Sequence, residues 1–127
     1  MSVSVSKTTS GWIVKDTDAD NTVEKDVLAG PGRLCHVHMT NPNAAVCYLK
    51  IFNHINPTLG TTDPDEIYEC PGSGTEGGIL DLPINPSEGL LFSEGISYAC
   101  VTAAGTAGTT SPTANVTVVL QLKPGSE

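Results

Sequence analysis

The stretch AAVCYLKIFNHINPTLGTTDPDEIYECPG, Ala44–Gly72, decides how the chain is read. It opens as a strand over Ala45–Asn53, where Cys47, Leu49 and Ile51 recur with period two and Tyr48 and Lys50 fall between them. Alternate side chains of a strand point to opposite faces. The first set is therefore expected in a core, and Tyr48 and Lys50 are expected outside. The run breaks at the loop Asn56–Pro64 and resumes as a short strand over Asp65–Cys70. Thr, Gly, Asn and Pro punctuate the stretch as turn formers do. Nothing in it assembles a reactive constellation, so here the strands and the patterned loop are themselves the product.

Reading backward, RLCHVHMT (Arg33–Thr40) is a second strand, with Cys35, Val37 and Met39 on its core face and His36 outside. With NPNA (Asn41–Ala44) as the turn, it is expected to form a β-hairpin with the 45–53 strand. Upstream, SVSVS (Ser2–Ser6) alternates as an edge strand or extended arm, and GWIVK (Gly11–Lys15) is a short strand. DTDADN (Asp16–Asn21) reads as a polar turn, TVEKDVL (Thr22–Leu28) as a strand and AGPG (Ala29–Gly32) as a break. Downstream, PGSGTEGG (Pro71–Gly78) is a long turn. ILDLPI (Ile79–Ile84) alternates, with Ile79 and Leu82 near its ends, and NPSEGLLF (Asn85–Phe92) turns into a short apolar run. SEGISYACVTA (Ser93–Ala103) presents Ile96, Tyr98 and Cys100 on one face, and AGTAGTTSPT (Ala104–Thr113) is a hairpin loop. ANVTVVLQLKP (Ala114–Pro124) closes the pattern with Val116, Val118, Leu120 and Leu122 on one face and Thr117 and Gln121 on the other.

No stretch holds apolar residues at helical spacing without a Gly or Pro break. About eight strands at this spacing predict an all-β, single-domain antiparallel β-sandwich or jelly roll over residues 1–127. Residues 1–10 are read as an N-terminal arm or edge strand and 124–127 as a tail.

Composition agrees. The 127 residues suit one domain, with 13 Gly, 9 Pro and only 16% charged residues. The net charge of −8 repels phosphate backbones, so no nucleic-acid partner is expected. The N-terminus lacks the charged-then-apolar layout of a signal peptide, and no apolar run approaches the length of about 20 residues that spans a bilayer. Synthesis in a cytosol and no membrane partner are the expectations.

Candidate chemistry is sparse. Cys35, Cys47, Cys70 and Cys100 form no CxxC pair, which removes a zinc ribbon. In a reducing compartment they are expected as buried thiols, with disulfides between neighbouring strands and, after these, metal binding as the alternatives. His36 and His38, two apart on a strand, are a two-ligand start for zinc, and His54 is a third candidate. In the expected hairpin they would lie opposite Lys50 and Tyr48, a poor zinc neighbourhood, so solvent-facing or interface histidines are preferred and no metal is assigned. Asp16, Asp18 and Asp20 match the first positions of a calcium loop, but Asn21 stands where Gly is needed and Val27 where Glu is needed. A solvated turn is preferred there, as for Asp63, Asp65 and Glu66. There is no GxSxG, HExxH or P-loop, so neither enzymatic activity nor a cofactor is expected.

Four blocks in order resemble a family of small virion proteins of tailed bacteriophages. LCHVHMTNPNAAVCYLKIFN is similar to that family's strand, Asn-centred turn and YxKxYN-like strand. NPTLGTTDPDEIYECPGSG resembles its PTxGTxxP loop, strand and Pro/Gly turn, GLLFSEGISYACVTAAGTAGTTSP its GxxFxxGxxYAxT segment and small-residue loop, and ANVTVVLQLKP its closing strand. The likeness runs from about Leu34 to Lys123; the four cysteines depart from it. It implies a β-sandwich module outside the particle: a head decoration (cement) protein, or a tail or fibre component acting as a receptor- or carbohydrate-binding module. The implied partners are the major capsid protein and further copies of the chain as a homotrimer. The implied location is the outer capsid surface of a virion. Val3 and Val5 in the arm, Trp12 and the loop-tip Leu59 are the interface candidates. The poverty in aromatics, 5% of residues, speaks against a carbohydrate-binding tip.

Overall fold

The computed structural model describes residues 3–7, 11–73, 78–84 and 88–125. Parts of the expected 71–78 and 85–92 turns, residues 1, 2 and 8–10 of the expected arm, and the end of the tail lie outside these. The described residues form nine strands: β1 (Val3–Lys7), β2 (Trp12–Ala19), β3 (Gly32–Thr40), β4 (Cys47–Asn53), β5 (Glu66–Cys70), β6 (Ile79–Pro83), β7 (Leu90–Phe92), β8 (Ile96–Val101) and β9 (Val116–Pro124).

Two antiparallel sheets enclose one core. The wider sheet has the order β1-β2-β9-β3-β6, with β7 also paired to β3; the narrower has the order β5-β4-β8. Val37 and Met39 of β3, Leu49 and Ile51 of β4, Ile96, Tyr98 and Cys100 of β8, and Val116, Val118, Leu120 and Leu122 of β9 meet in a single buried cluster. These are the residues that period-two alternation sends inward, and the expected β-sandwich is what they build.

The hairpin expected between β3 and β4 does not form. β3 pairs with β9, β6 and β7, whereas β4 pairs with β5 and β8 in the other sheet. Both strands carry an apolar face, and setting them in opposite sheets lets those faces meet across the core. Residues 41–46 make the crossing, pinned by Asn41, which is only 1% exposed. Its Nδ2 donates to the carbonyls of Ala45 (2.9 Å) and Pro71 (3.1 Å), and its Oδ1 accepts from the Asn43 backbone N–H at 3.0 Å.

Two further expectations are corrected. Asp16–Asn21 is not a turn, because β2 continues to Ala19 with a register shift between Asp16 and Ala19. Asp16 is buried there and receives a hydrogen bond from the Tyr98 hydroxyl at 2.8 Å, so a tertiary partner overrides its turn preference. Thr22–Leu28 does not form a regular strand. It lies along the β8 edge through the Glu24–Tyr98 bridge and the Val27 N–H bond to the Ile96 carbonyl, and Asp26 (φ 48°) and Ala29 (φ 55°) leave the extended conformation. On β6, Leu80 and Leu82, with Ile84 just beyond it, pack on the core and Ile79 is exposed. Cys35, Val37 and Met39 are buried as expected, but a register shift between Leu34 and His36 turns Leu34 inward as well.

Candidate functional site

The outer face of the narrower sheet is covered over β4 and β8, while Ile67 and Glu69 on β5 stay exposed. Lys50, expected outside, is completely buried, and Phe52, Ala99 and Val101 are buried although they lie outside the main core cluster. Loops cover this face. The Lys50 ammonium donates to the carbonyl oxygens of Gly105 (2.5 Å) and Gly108 (2.9 Å), which draws the Ala104–Thr113 loop down over the sheet. Burial lowers the Lys50 pKa from its ordinary value.

A second loop meets the first. Thr106 Oγ1 donates to Asp63 Oδ1 at 2.8 Å, joining Ala104–Thr113 to the PTLGTT loop. Gly60 (φ +93°) approaches so closely that an added Cβ would stand 2.9 Å from Thr109 Cγ2. The Asp65 carboxylate accepts from the Asn53 backbone N–H at 2.6 Å, and the Ser97 hydroxyl donates to the His54 carbonyl, also at 2.6 Å. Two loops more than 40 residues apart thus form one pinned platform. Two small-residue turns were visible in the sequence; their convergence was not, although a lysine at an otherwise apolar strand position was a signal.

The histidines occupy the opposite surface, on the outer face of the wider sheet. β3 sets His36 between Gln121 of β9 and Pro83 of β6, and His38 between Val119 and Asp81. Lys50 and Tyr48 are not their neighbours. Asp81 is the partner that sequence reasoning missed: its Oδ1 lies 2.5 Å from His36 Nε2 and 3.5 Å from His38 Nδ1. Hydrogen bonds from His36 first and His38 second hold the exposed Asp81 carboxyl below its usual range. The three line a depression of about 230 Å³ with Val119 and Gln121. His54 is not brought to this place; it follows β4 and its Nδ1 accepts from the Asn56 N–H. Among the described residues no group of three His, Cys, Asp or Glu has an arrangement that could hold a metal ion.

The three aspartates of the calcium-like run separate. Asp16 faces inward to Tyr98, while Asp18 and Asp20 line a depression with Thr22 and Glu24. Burial raises the Asp16 carboxyl pKa, partly opposed by the Tyr98 hydrogen bond. Burial also raises Glu24, with the charges of Asp16, Asp18 and Asp20 adding to it. Burial foremost, then the Asp16 charge, pushes the Tyr98 hydroxyl pKa up.

Of the interface candidates, only Val5 is exposed, at 42%. Val3 and Trp12 are half-buried against the core, and Lys7 Nζ stands 5.7 Å from the Trp12 ring centroid. β1 is an edge strand of its own sheet, paired with β2 from Val3–Asp16 to Lys7–Trp12. Leu59 is half-buried within the loop platform. Ile55, Ile67, Ile79, Leu90 and Leu91 are exposed apolar residues that the pattern did not single out. No helix is long and apolar enough to cross a membrane among the described residues. No protein-family model, curated protein or solved structure matches the chain.

Proposed function

We propose that the chain is a non-enzymatic virion structural protein, a capsid decoration (cement) protein that binds the outer head surface and bridges capsid subunits as a homotrimer. The observation that supports this reading is the double-loop platform. Two of the blocks that resemble small phage virion proteins, the PTLGTT loop and the Ala104–Thr113 loop, converge there and are held by Lys50 and the Thr106–Asp63 hydrogen bond. A contact surface fixed before docking loses little conformational entropy on binding. Repeated on a lattice, modest contacts of this kind add through multivalency. A trimer would match local three-fold positions of a shell. The net charge of −8 favours solubility of the free protein and suits a basic docking surface.

The test is a cryo-EM reconstruction of phage particles from a culture producing this chain, with antibody labelling to identify its density. Copies at three-fold or quasi-three-fold points of the head, with the loop platform against capsid subunits, are the expected result. Copies confined to the tail or a fibre tip, or particles free of the chain, would refute the reading. The former result would favour a receptor-binding module instead.

A further inference from the structure

Three of the four cysteines gather at one place in the core, and their positions differ in what they permit. Cys47 and Cys70 are directly opposite each other across the antiparallel β4–β5 pair, both buried. Directly opposed residues of such a pair have Cα atoms about 4.5–5.5 Å apart. That lies inside the window of about 4.4–6.8 Å that a disulfide spans. Cys100 flanks Cys47 from β8, but its register partner is Leu49, which leaves it diagonal to Cys47. Cys35 lies in the other sheet, with its thiol directed to the Arg33 carbonyl at 3.9 Å. Cys47 also lines a crevice of about 50 Å³ between its own approach segment and Thr102, Pro112 and Thr113. A space of roughly 10–15 Å³ already admits a water molecule, so an oxidant of similar size can enter.

We propose that Cys47 and Cys70 are a latent disulfide, reduced in a cytosol and closed by hydrogen peroxide or a comparable small peroxide that reaches Cys47 through this crevice. Cys47 Sγ, after losing its proton to solvent, attacks one peroxide oxygen. The O–O bond breaks, and the departing hydroxide takes up a proton as water, leaving a sulfenic acid. Cys70 Sγ then attacks Cys47 Sγ, the S–O bond breaks and a second water leaves with the Cys70 proton. Two thiols and one peroxide yield one disulfide and two waters; sulfur is oxidised and peroxide oxygen reduced. The Cys100 hydrogen bond first, and burial, push the Cys47 thiol up to about 12. The thiolate is therefore scarce at neutral pH, and closure is slow and accelerates as pH rises. The bond would tie β5, whose one strand partner among the described residues is β4, to the centre of its sheet.

The experiment treats the reduced full-length protein with hydrogen peroxide at pH 7 and 9. Samples are quenched in acid, free thiols are alkylated under denaturing conditions, and non-reducing peptides are mapped by mass spectrometry. The expected result is loss of two of the four free thiols, a dominant Cys47–Cys70 linked peptide, and faster closure at pH 9. A rise in Tm of about 10 °C, reversed by dithiothreitol, should accompany closure of a loop of this length. The Cys100→Ser and Cys35→Ser variants should retain the linkage. A dominant Cys47–Cys100 peptide, four alkylated thiols after oxidation, or Cys47 recovered as sulfinic acid would overturn the proposal. Because the map is read on the unaltered protein, a misfolded Cys70→Ser variant would not obscure the answer.

Discussion

Replacing Lys50 by methionine isolates what holds the loop platform. Methionine keeps an unbranched side chain of similar length, so packing beside the cross-strand neighbours Ala99 and Ile67 changes little, and the ammonium with its bonds to Gly105 and Gly108 is lost. Hydrogen bonds from a charged donor contribute about 1.5–3 kcal/mol each. Two of them give roughly 3–6 kcal/mol, opposed by several kcal/mol for taking the ammonium out of water. Gly105 and Gly108 belong to a surface loop, so their carbonyls can recover water once the loop lifts. The expected net loss is about 2 kcal/mol, a fall in Tm of about 7 °C for a chain of this size. The loss should be concentrated in the loop. Hydrogen exchange should accelerate across Ala104–Thr113 and at the Thr102 amide, which is bonded to the Thr110 carbonyl, while β9 amides keep their protection. Urea unfolding supplies the stability and exchange mass spectrometry the location. A Lys50→Met protein within 0.5 kcal/mol of the parent, with unchanged exchange in that loop, would refute the argument.

Other consequences follow from the buried polar groups. The folded-state pKa values of Asp16 and Glu24 are raised above 3.8 and 4.5, so the folded state binds protons more tightly than the unfolded chain. Their contribution must therefore grow as pH falls from 7 through those folded values toward those of the unfolded chain. Asp81, lowered, works in the opposite sense and loses its contribution as pH falls through its folded value. Asp16→Asn should flatten the Asp16 part of this profile, measured by urea unfolding at pH 5 and 7. Tyr98→Phe leaves the buried Asp16 carboxylate without its hydroxyl donor and should cost about 2 kcal/mol at pH 7, with a smaller cost at pH 4. Asn41→Ala removes the donors to Ala45 and Pro71 and the acceptor for Asn43 in the crossing between sheets, for an expected loss of about 3 kcal/mol by the same assay.

The proposed role asks little of reactive groups and much of surface geometry, and the buried interactions bear on that. Lys50 and Asn41 use polar side chains to fix a loop and the crossing between the sheets. The Cys47–Cys70 pair would add a covalent tie at an edge strand, one that persists only outside a reducing compartment.

The inward faces of β4, β8 and β9 were legible in the sequence because alternation is a local property: successive residues of a strand must face opposite ways, whatever they pair with. The absence of helical spacing was legible for the same reason, and with the turn residues it determined an all-β sandwich. Pairing was not local. β3 and β4 look like two arms of a hairpin, yet β3 finds β9 and β4 finds β8, because opposite sheets let both apolar faces share one core. The same holds for the polar exceptions. Asp16 and Tyr98 stand 82 positions apart, and Lys50 and Gly105 stand 55 apart. Only the tertiary structure could decide that an aspartate in a turn-like run and a lysine on a strand's outer face would be buried. The free energy that permits their burial comes from partners that the chain brings close only after both sheets have formed.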